Sequence, residues 1–88
     1  MKTNKNYILR SIAGEAILVP TGSATSDFNG MINLSEVAAF IWNQIDASAD
    51  LEDLVQKVVA EYDVEEATAR KDTAGFIESL IRNKMIEL

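Results

Sequence analysis

The alternation of hydrophobic and polar residues near the N-terminus predicts two strands joined by a tight turn. Tyr7–Ile12 and residues 15–19 are short runs rich in β-branched and other apolar residues, which is typical of strands. Between them, Ala13 and Gly14 form a two-residue hairpin connection, and glycine readily accepts the positive φ that such a turn requires. Pro20 is expected to end the second strand because it has no N–H to give to the ladder.

A third strand is predicted at residues 28–34, after a loop of small and polar residues at 21–27. The dipeptide Asn29-Gly30 within this strand offers an alternative, since it favours a hairpin turn. A turn at that point leaves very short strands on both sides. The continuous strand is therefore our prediction, and the turn is kept as the alternative.

After the third strand the hydrophobic period changes from two residues to about 3.6, which indicates helices. Ser35 is the predicted N-cap of the first helix, with Glu36 in the first turn, where a negative charge suits the helix dipole. Asn33 is a rival N-cap, because Asn33 and Glu36 have the spacing of a capping box. The apolar face of this helix consists of Ala38, Ile41, Trp42 and Ile45.

Two further helices and a short extended tail are predicted in the second half of the chain. Asp50 is the expected N-cap of the second helix, and the third helix is expected over residues 65–83. Met85 and Ile86 then form the tail. The predicted buried residues are Leu51, Leu54, Val55, Val58 and Tyr62 on the second helix and Ala69, Thr73, Phe76 and Leu80 on the third.

These elements predict one α+β domain over residues 1–88. The order is β-β-β-α-α-α, which describes a three-stranded antiparallel sheet followed by three helices. The helices are expected to cover one face of the sheet, because three short strands alone leave apolar side chains in water.

Composition excludes several classes of function. The chain has no His and no Cys, so histidine- or cysteine-based catalysis and a typical zinc site are excluded. A net charge of −6 argues against nucleic-acid binding, which needs Lys and Arg to replace counterions. No apolar run reaches the ~20 residues of a membrane span, and the N-terminus is too polar for a signal peptide. We therefore predict a cytoplasmic, non-catalytic protein with no cofactor and no nucleic-acid or membrane partner.

The apolar arc of the third helix is wider than one core contact requires. Phe76 and Leu80 mark the centre of the predicted core face, and further residues lie to one side of it. Those residues are Arg70, Lys71, Ala74, Ile77 and Ile81. One interpretation is a single wide core face. The other is a groove with the alanine as its floor, the isoleucines as its wall and the two cations at its rim.

An open sheet edge next to that helix completes such a groove. The third strand runs directly into the helices and is expected to be an edge strand. Its unpaired N–H and C=O groups can hydrogen-bond to an extended peptide. The combination predicts a peptide-binding site between the third strand and the third helix.

Several segments resemble motifs of PqqD-like proteins. The sequence FNGMINLSE at 28–36, followed by AFIW at 39–42, is similar to the Leu-Asn…Ile-Trp signature of that family. DLEDL at 50–54 resembles the capped second helix, and residues 72–80, with Asp, Phe, Ile and Leu at matching positions, resemble the third. Residues 14–19 fit the second strand, so the resemblance covers nearly the whole chain.

The resemblance implies a winged-helix-like domain of the kind called a RiPP recognition element. Such a domain binds the leader segment of a ribosomally made, post-translationally modified precursor peptide and presents it to a modifying enzyme, often of the radical SAM class. The leader is expected to add as a strand beside the third strand and to lie against the third helix. The predicted peptide-binding residues are Asp27, Phe28, Asn29, Gly30, Met31, Ile32, Asn33, Arg70, Lys71, Ala74, Ile77 and Ile81.

The chain departs from the family pattern at a few positions. Ser35 stands where the signature has Asn, and it still caps a helix. Lys84 stands where a glycine usually ends the third helix, with Asn83 before it as the residue expected to tolerate the left-handed cap. The second strand differs from the Trp-Val-Leu-Leu-Ala-Pro-Glu-like strand of members that serve the cofactor PQQ. We therefore predict a role in another peptide pathway.

Two other functions are alternatives from the sequence. A winged-helix DNA-binding regulator would read DNA with the third helix, whose cations are nearly balanced by acidic residues. A homo-oligomerising structural domain would pair the edge of the third strand with a second copy.

Overall fold

Strands precede helices along the chain, as the hydrophobic pattern predicts. The computed structural model describes residues 1–22 and 32–87. Within these residues the elements are β1 (Lys2–Thr3), β2 (Tyr7–Ile12), β3 (Glu15–Pro20), β4 (Ile32–Leu34), α1 (Glu36–Gln44), a 3₁₀ turn (Ile45–Ala47), α2 (Leu51–Tyr62), α3 (Glu66–Arg82) and β5 (Ile86–Glu87). The predicted α+β architecture, a three-stranded antiparallel sheet followed by three helices, is confirmed. β1 and β5 form a second, two-stranded sheet that the sequence did not predict.

β2 and β3 form the predicted hairpin, in which Ile12 pairs with Glu15. The two residues between them, Ala13 and Gly14, both have positive φ, at 53° and 81°. This is the left-handed geometry that two-residue hairpin turns favour, so the predicted turn is confirmed. β4 pairs with β3 on the other side, and the strand order is β2-β3-β4.

The hydrogen-bonding pattern shows which backbone groups of β4 point outward. The Thr21 N–H donates to the Asn6 carbonyl at 2.6 Å, which makes these two residues a hydrogen-bonded pair at the open end of the hairpin. Bonded and non-bonded pairs alternate along an antiparallel ladder, so the backbone groups of Leu18 point away from β2 and toward β4. Ile32 lies opposite Leu18 and points back at β3. The N–H and C=O of Asn33 therefore point to the outer edge of the sheet.

Side-chain caps begin α1 and α2 where the sequence predicts them. The Ser35 Oγ accepts a hydrogen bond from the Ala38 N–H at 3.1 Å, and the Asp50 Oδ1 accepts one from the Asp53 N–H at 2.9 Å. Both caps satisfy backbone donors that have no partner within the helix. The rival cap, Asn33, lies in β4 instead.

The main core lies between the inner face of the sheet and the helices. Leu18 on β3, Ile41 on α1 and Leu54 on α2 are all 2% exposed or less, and Trp42 is 7% exposed. The buried cluster consists of Tyr7, Leu18, Ile41, Trp42, Ile45, Leu54, Val55, Val58, Ala69, Ile77, Leu80, Met85 and Ile86. The residues that α1 and α2 contribute to this cluster come from the faces that the sequence predicts to be buried.

α3 buries a face that is rotated from the predicted one. Ala69, Thr73, Ile77 and Leu80 are buried, whereas Phe76 is only partly buried against the core. At about 100° per residue, the buried face is centred near Thr73, and Phe76 lies at its margin. The sequence analysis placed the centre of this face at Phe76 and Leu80. Contact with α2 on the other flank of α3 instead brings Ile77 inward.

A left-handed residue ends α3, one position later than expected. Lys84 has a φ of 60°, whereas Asn83, the residue expected to take this conformation, has a φ of −96°. The Met85 N–H donates to the Leu80 carbonyl at 2.8 Å, and the Lys84 N–H donates to the Ile81 carbonyl at 3.0 Å. These two bonds form a Schellman motif with a lysine at the position that favours glycine.

β5 pairs antiparallel with β1, with Ile86 opposite Thr3. The Asn4 N–H donates to the Met85 carbonyl at 2.8 Å, and Met85 is 1% exposed. The predicted extended tail is thus confirmed as a strand, while its partner at the N-terminus is new. This small sheet closes the core at the end of α3.

Candidate functional site

The outer edge of β4 is open within the part of the chain that the structure describes. There, β3 is the strand that pairs with β4, and no other described strand does so. Asn33 is exposed, and its outward N–H and C=O form no ladder bond with the described strands. A free edge of this kind is a template for an added strand.

A cleft of about 380 Å³ opens where β4 passes into α1. Its lining residues are Ser35, Val37, Ala38 and Ile41 from the start of α1, and Asp72 and Phe76 from α3. The apolar side chains of both helices form its walls, and Asp72 is the charged residue that lines it. We call this the β4–α3 cleft.

The position of the cleft follows from local structure. Ser35 directly follows β4 and caps α1, so the strand edge and the first turn of the helix meet at one residue. Val37 and Ala38 then face the margin of α3, where Phe76 is left partly exposed by the rotation of that helix. Ser35 therefore links the open strand to an apolar cleft lined by α1 and α3. Strand-adding peptides use an open edge together with nearby pockets for side chains.

Arg70, predicted at the rim of the groove, lies on the flank of α3 that faces α2. Its guanidinium contacts the Glu52 carboxylate, with Nη2 3.0 Å from Oε1, and Nη2 also lies 3.7 Å from Oε2 of Glu66. The hydrogen bond from Arg70 lowers the pKa of Glu52 to about 2. The same hydrogen bond raises the pKa of Arg70 above its ordinary value. Arg70 is thus already paired and connects α3 to α2.

The other residues predicted on α3 do not line the β4–α3 cleft. Ile77 is buried in the core with 6% of its surface exposed, and Ile81 is 39% exposed. Ala74 is half-buried, and Lys71 is exposed and forms no ion pair with a described residue. Because the core face of α3 is centred near Thr73, Ile77 lies in the core, Arg70, Ala74 and Ile81 lie toward the α2 side, and Lys71 lies on the outer face.

The predicted strand residues divide between described and undescribed positions. Ile32 and Asn33 lie in β4 as expected. The remaining predicted positions lie outside the described residues; these are Asp27, Phe28, Asn29, Gly30 and Met31.

Four residues that line the cleft are not among the groove residues predicted from the sequence: Val37, Ala38, Asp72 and Phe76. A signal was present for two of them. Asp72 and Phe76 are four positions apart, so they lie one above the other on a helix. An exposed carboxylate next to an aromatic on one face is unusual for a core stripe, and the pattern favours a surface cleft.

The described residues contain neither a candidate metal cluster nor a candidate membrane-spanning helix. In 1–22 and 32–87, no three His, Cys, Asp or Glu side chains are placed to hold a metal ion. None of the helices found there is long and apolar enough to cross a membrane.

Comparison with known proteins finds a matching family model and solved structures of similar fold. A family model described as "Coenzyme PQQ synthesis protein D (PqqD)" matches residues 15–86. A solved structure, "TbiB1 in Complex with the TbiA(beta) Leader Peptide", is similar with a TM-score of 0.76 and 23% identity, over 99% of this chain and 95% of that one. A second, "Lasso peptide synthetase B1 complexed with the leader peptide", has a TM-score of 0.73 and 23% identity, over 96% and 93%. Comparison with curated proteins gives no match. At this identity the two structures show a shared fold.

Proposed function

The chain belongs to the PqqD family, and on that premise we propose that it binds the leader segment of a precursor peptide and presents it to a peptide-modifying enzyme. The leader adds as a strand to the open edge of β4 and covers the β4–α3 cleft. The chain itself is non-catalytic and acts in the cytoplasm.

The observations that carry this proposal are the open edge of β4 and the apolar cleft that begins at Ser35, the residue after that strand. The outward N–H and C=O of Asn33 offer main-chain hydrogen bonds, which give affinity without regard to sequence. The adjacent Val37, Ala38 and Phe76 offer an apolar surface to every second side chain of an added strand. The two structures of similar fold are themselves complexes with leader peptides, which supports a leader peptide as the ligand here.

The residue types of the chain support a binding role without catalysis. It has neither His nor Cys, which are the commonest general bases, nucleophiles and zinc ligands. The charges of α3 also disfavour DNA binding, because Arg70 and Arg82 are each paired with a glutamate on the same helix. A peptide bound through its backbone needs neither a catalytic group nor a basic surface.

The test is a peptide selection followed by NMR. A phage-displayed library of random peptides is selected on the protein, and the strongest binder, the selected peptide, is titrated into labelled protein. We expect slowed amide exchange at Asn33 and cross-strand contacts between its Cα region and the peptide. Asn33→Pro removes the outward N–H without breaking a bond to β3, so it should fold and lose the peptide.

Ser11→Pro is the matched control. Ser11 lies on β2, and the alternation of the ladder points its N–H to the opposite edge of the same sheet. Peptide binding should survive this change. Equal binding by Asn33→Pro and wild type would overturn the proposal, and loss of a self-associated dimer in Asn33→Pro would instead show that the edge pairs with a second copy.

A further inference from the structure

Asp72 is an unpaired acidic residue at an apolar cleft. Four other charged residues of α3 are paired: Arg70 contacts Glu52 and Glu66, and Arg82 lies 4.0 Å from Glu78. Within the part of the chain that the structure describes, Asp72 takes part in no such pair. Its exposed carboxylate faces a cleft whose other lining is mostly apolar.

The sequence of α3 leaves no cation on the same helix to neutralise Asp72. Side chains that can reach it are three or four positions away, and these are Thr68, Ala69, Gly75 and Phe76, none of them charged. Lys71 is adjacent in sequence, but about 100° of helix rotation turns it away. The negative charge of Asp72 is therefore not neutralised by any other residue of α3.

A second depression at the β4–α1 junction has acidic residues in its lining as well. It is lined in part by Glu15 and Glu36, together with Asn33 of the open edge. Neither glutamate forms an ion pair with a described residue. Acidic groups thus lie both in this depression, which Asn33 lines, and at the cleft, so anionic side chains of an added strand would be repelled.

The spacing of Asp72 and Phe76 matches that of an extended peptide. On a helix, residues four apart have Cβ atoms roughly 5–6 Å from each other. On one face of a strand, every second residue recurs at roughly 6.6 Å. A strand running along this part of α3 can therefore place one side chain against Phe76 and the next on the same face at Asp72.

We propose that Asp72 determines the specificity of the site, and that the leader carries a Lys or Arg two positions from an apolar residue. This inference rests on the proposed function. The apolar side chain packs between Ala38 and Phe76, and the basic side chain donates to the Asp72 carboxylate. The chain's net charge of −6 also attracts a basic peptide during encounter.

The test compares peptide selections on wild type and on two variants of Asp72. On wild type, Lys or Arg should be enriched two positions from an apolar residue. Asp72→Asn should lose this enrichment, and Asp72→Lys should reverse it toward Asp or Glu. Glu78→Lys makes the same change of charge on the outward face of the same helix, and it should leave the wild-type preference intact.

Affinities of matched peptides measure the coupling. The selected peptide and its Lys→Gln (or Arg→Gln) version are each titrated into wild type and Asp72→Asn. We expect Asp72→Asn to weaken the basic peptide by about fivefold, the upper range for an exposed ion pair, and to leave the Gln peptide unchanged. This difference in affinity between wild type and Asp72→Asn should vanish at about 1 M salt, where the Debye length is about 3 Å.

The outcomes separate this inference from the proposed function. If wild type selects peptides that need an intact Asn33 edge but show no basic preference, or if Asp72→Lys selects the same sequences, the role of Asp72 is overturned and leader binding stands. If no peptide is selected, or if the selected peptides bind Asn33→Pro equally well, the proposed function itself fails.

Discussion

Arg70 on α3 and Glu52 on α2 form a two-pronged ion pair, with one guanidinium nitrogen on each carboxylate oxygen. Arg70 also lies 3.7 Å from Glu66 on its own helix, and the Gln56 amide donates to Glu52 at 3.2 Å. The pair therefore belongs to a polar network that joins two helices at the surface. It occupies the guanidinium that could otherwise serve a ligand.

This network predicts that Arg70 matters for helix packing rather than for peptide binding. Arg70→Gln should lower the urea midpoint of unfolding slightly, because the pair is exposed and partly screened by solvent. The affinity for the selected peptide should not change. Asp72→Asn should show the opposite behaviour: the urea midpoint should change little, and the affinity for a basic peptide should fall. Measuring the midpoint and the affinity for both variants therefore shows which flank of α3 binds the peptide. A loss of peptide affinity in Arg70→Gln would return the binding surface to the α2 side.

A second prediction concerns the acid stability of the small β1–β5 sheet. The Thr3 N–H and Oγ1 donate to the two carboxylate oxygens of Asp46 at 2.7 and 2.9 Å, and Lys5 contacts the same carboxylate. The hydrogen bond from Lys5, followed by that from the Thr3 N–H, lowers the pKa of Asp46 from 3.8 to about 2. Asp46→Asn should therefore destabilise the protein at neutral pH and loosen the pairing of Thr3 with Ile86.

The lowered pKa of Asp46 determines how its stabilising effect changes with pH. A carboxylate that is more acidic when folded stabilises the fold above its unfolded pKa, and this contribution is lost as the pH falls through its folded pKa. The difference in unfolding free energy between wild type and Asp46→Asn should be constant above about pH 5 and shrink as the pH falls toward 2. Urea titrations across that range measure it. A difference that persists unchanged at pH 2 would mean that the charge of Asp46 is not what stabilises the contact.

Local signals in the sequence were sufficient for most elements. The Ala13-Gly14 turn, the Ser35 cap and the Asp50 cap are each decided by residues a few positions apart, and each is confirmed. Short-range hydrogen bonds and backbone sterics act there whatever the rest of the chain does.

Features decided by distant contacts were not predictable in the same way. The pairing of β1 with β5 joins the two ends of the described chain, and nothing local marks Lys2–Thr3 as a strand. The rotation of α3 depends on how it packs against α2, and a helical wheel alone cannot choose between Phe76 and Ile77 as the core residue. That choice is why the predicted groove residues of α3 differ from the residues that line the cleft, whereas Ile32 and Asn33 lie in the predicted strand.

A third prediction concerns the end of α3. Lys84 has a φ of 60°, a conformation that costs a residue with a Cβ about 1 kcal/mol more than glycine. Lys84→Gly should therefore raise the free energy of unfolding by about 1 kcal/mol in urea titrations. Asn83→Gly is the control: its φ is −96°, and its amide donates to the Ser79 carbonyl at 2.8 Å, so that change should destabilise the protein. Stabilisation by both glycines would contradict the Schellman geometry.

The last prediction tests the cleft by filling it. Ala38 lines the β4–α3 cleft, whereas its neighbour Ala39 lines the separate depression near Glu36. Ala38→Leu adds the same volume as Ala39→Leu on the same helix, but it occupies the space proposed for an apolar side chain of the leader. Excluding one such side chain costs about 1.5–3 kcal/mol of burial, so Ala38→Leu should weaken the selected peptide by at least about tenfold.

Ala39→Leu should bind the selected peptide as wild type does, and Ala74→Leu should do so too, because Ala74 lies on the α2 side of α3. Each control replaces a helical alanine by leucine, as Ala38→Leu does. A general effect of this change on folding should therefore appear in all three variants, whereas blocking of the cleft should appear only in Ala38→Leu. Circular dichroism confirms the fold of each variant, and fluorescence anisotropy measures its affinity. If Ala74→Leu loses the peptide and Ala38→Leu keeps it, the leader lies along the flank that the sequence first indicated.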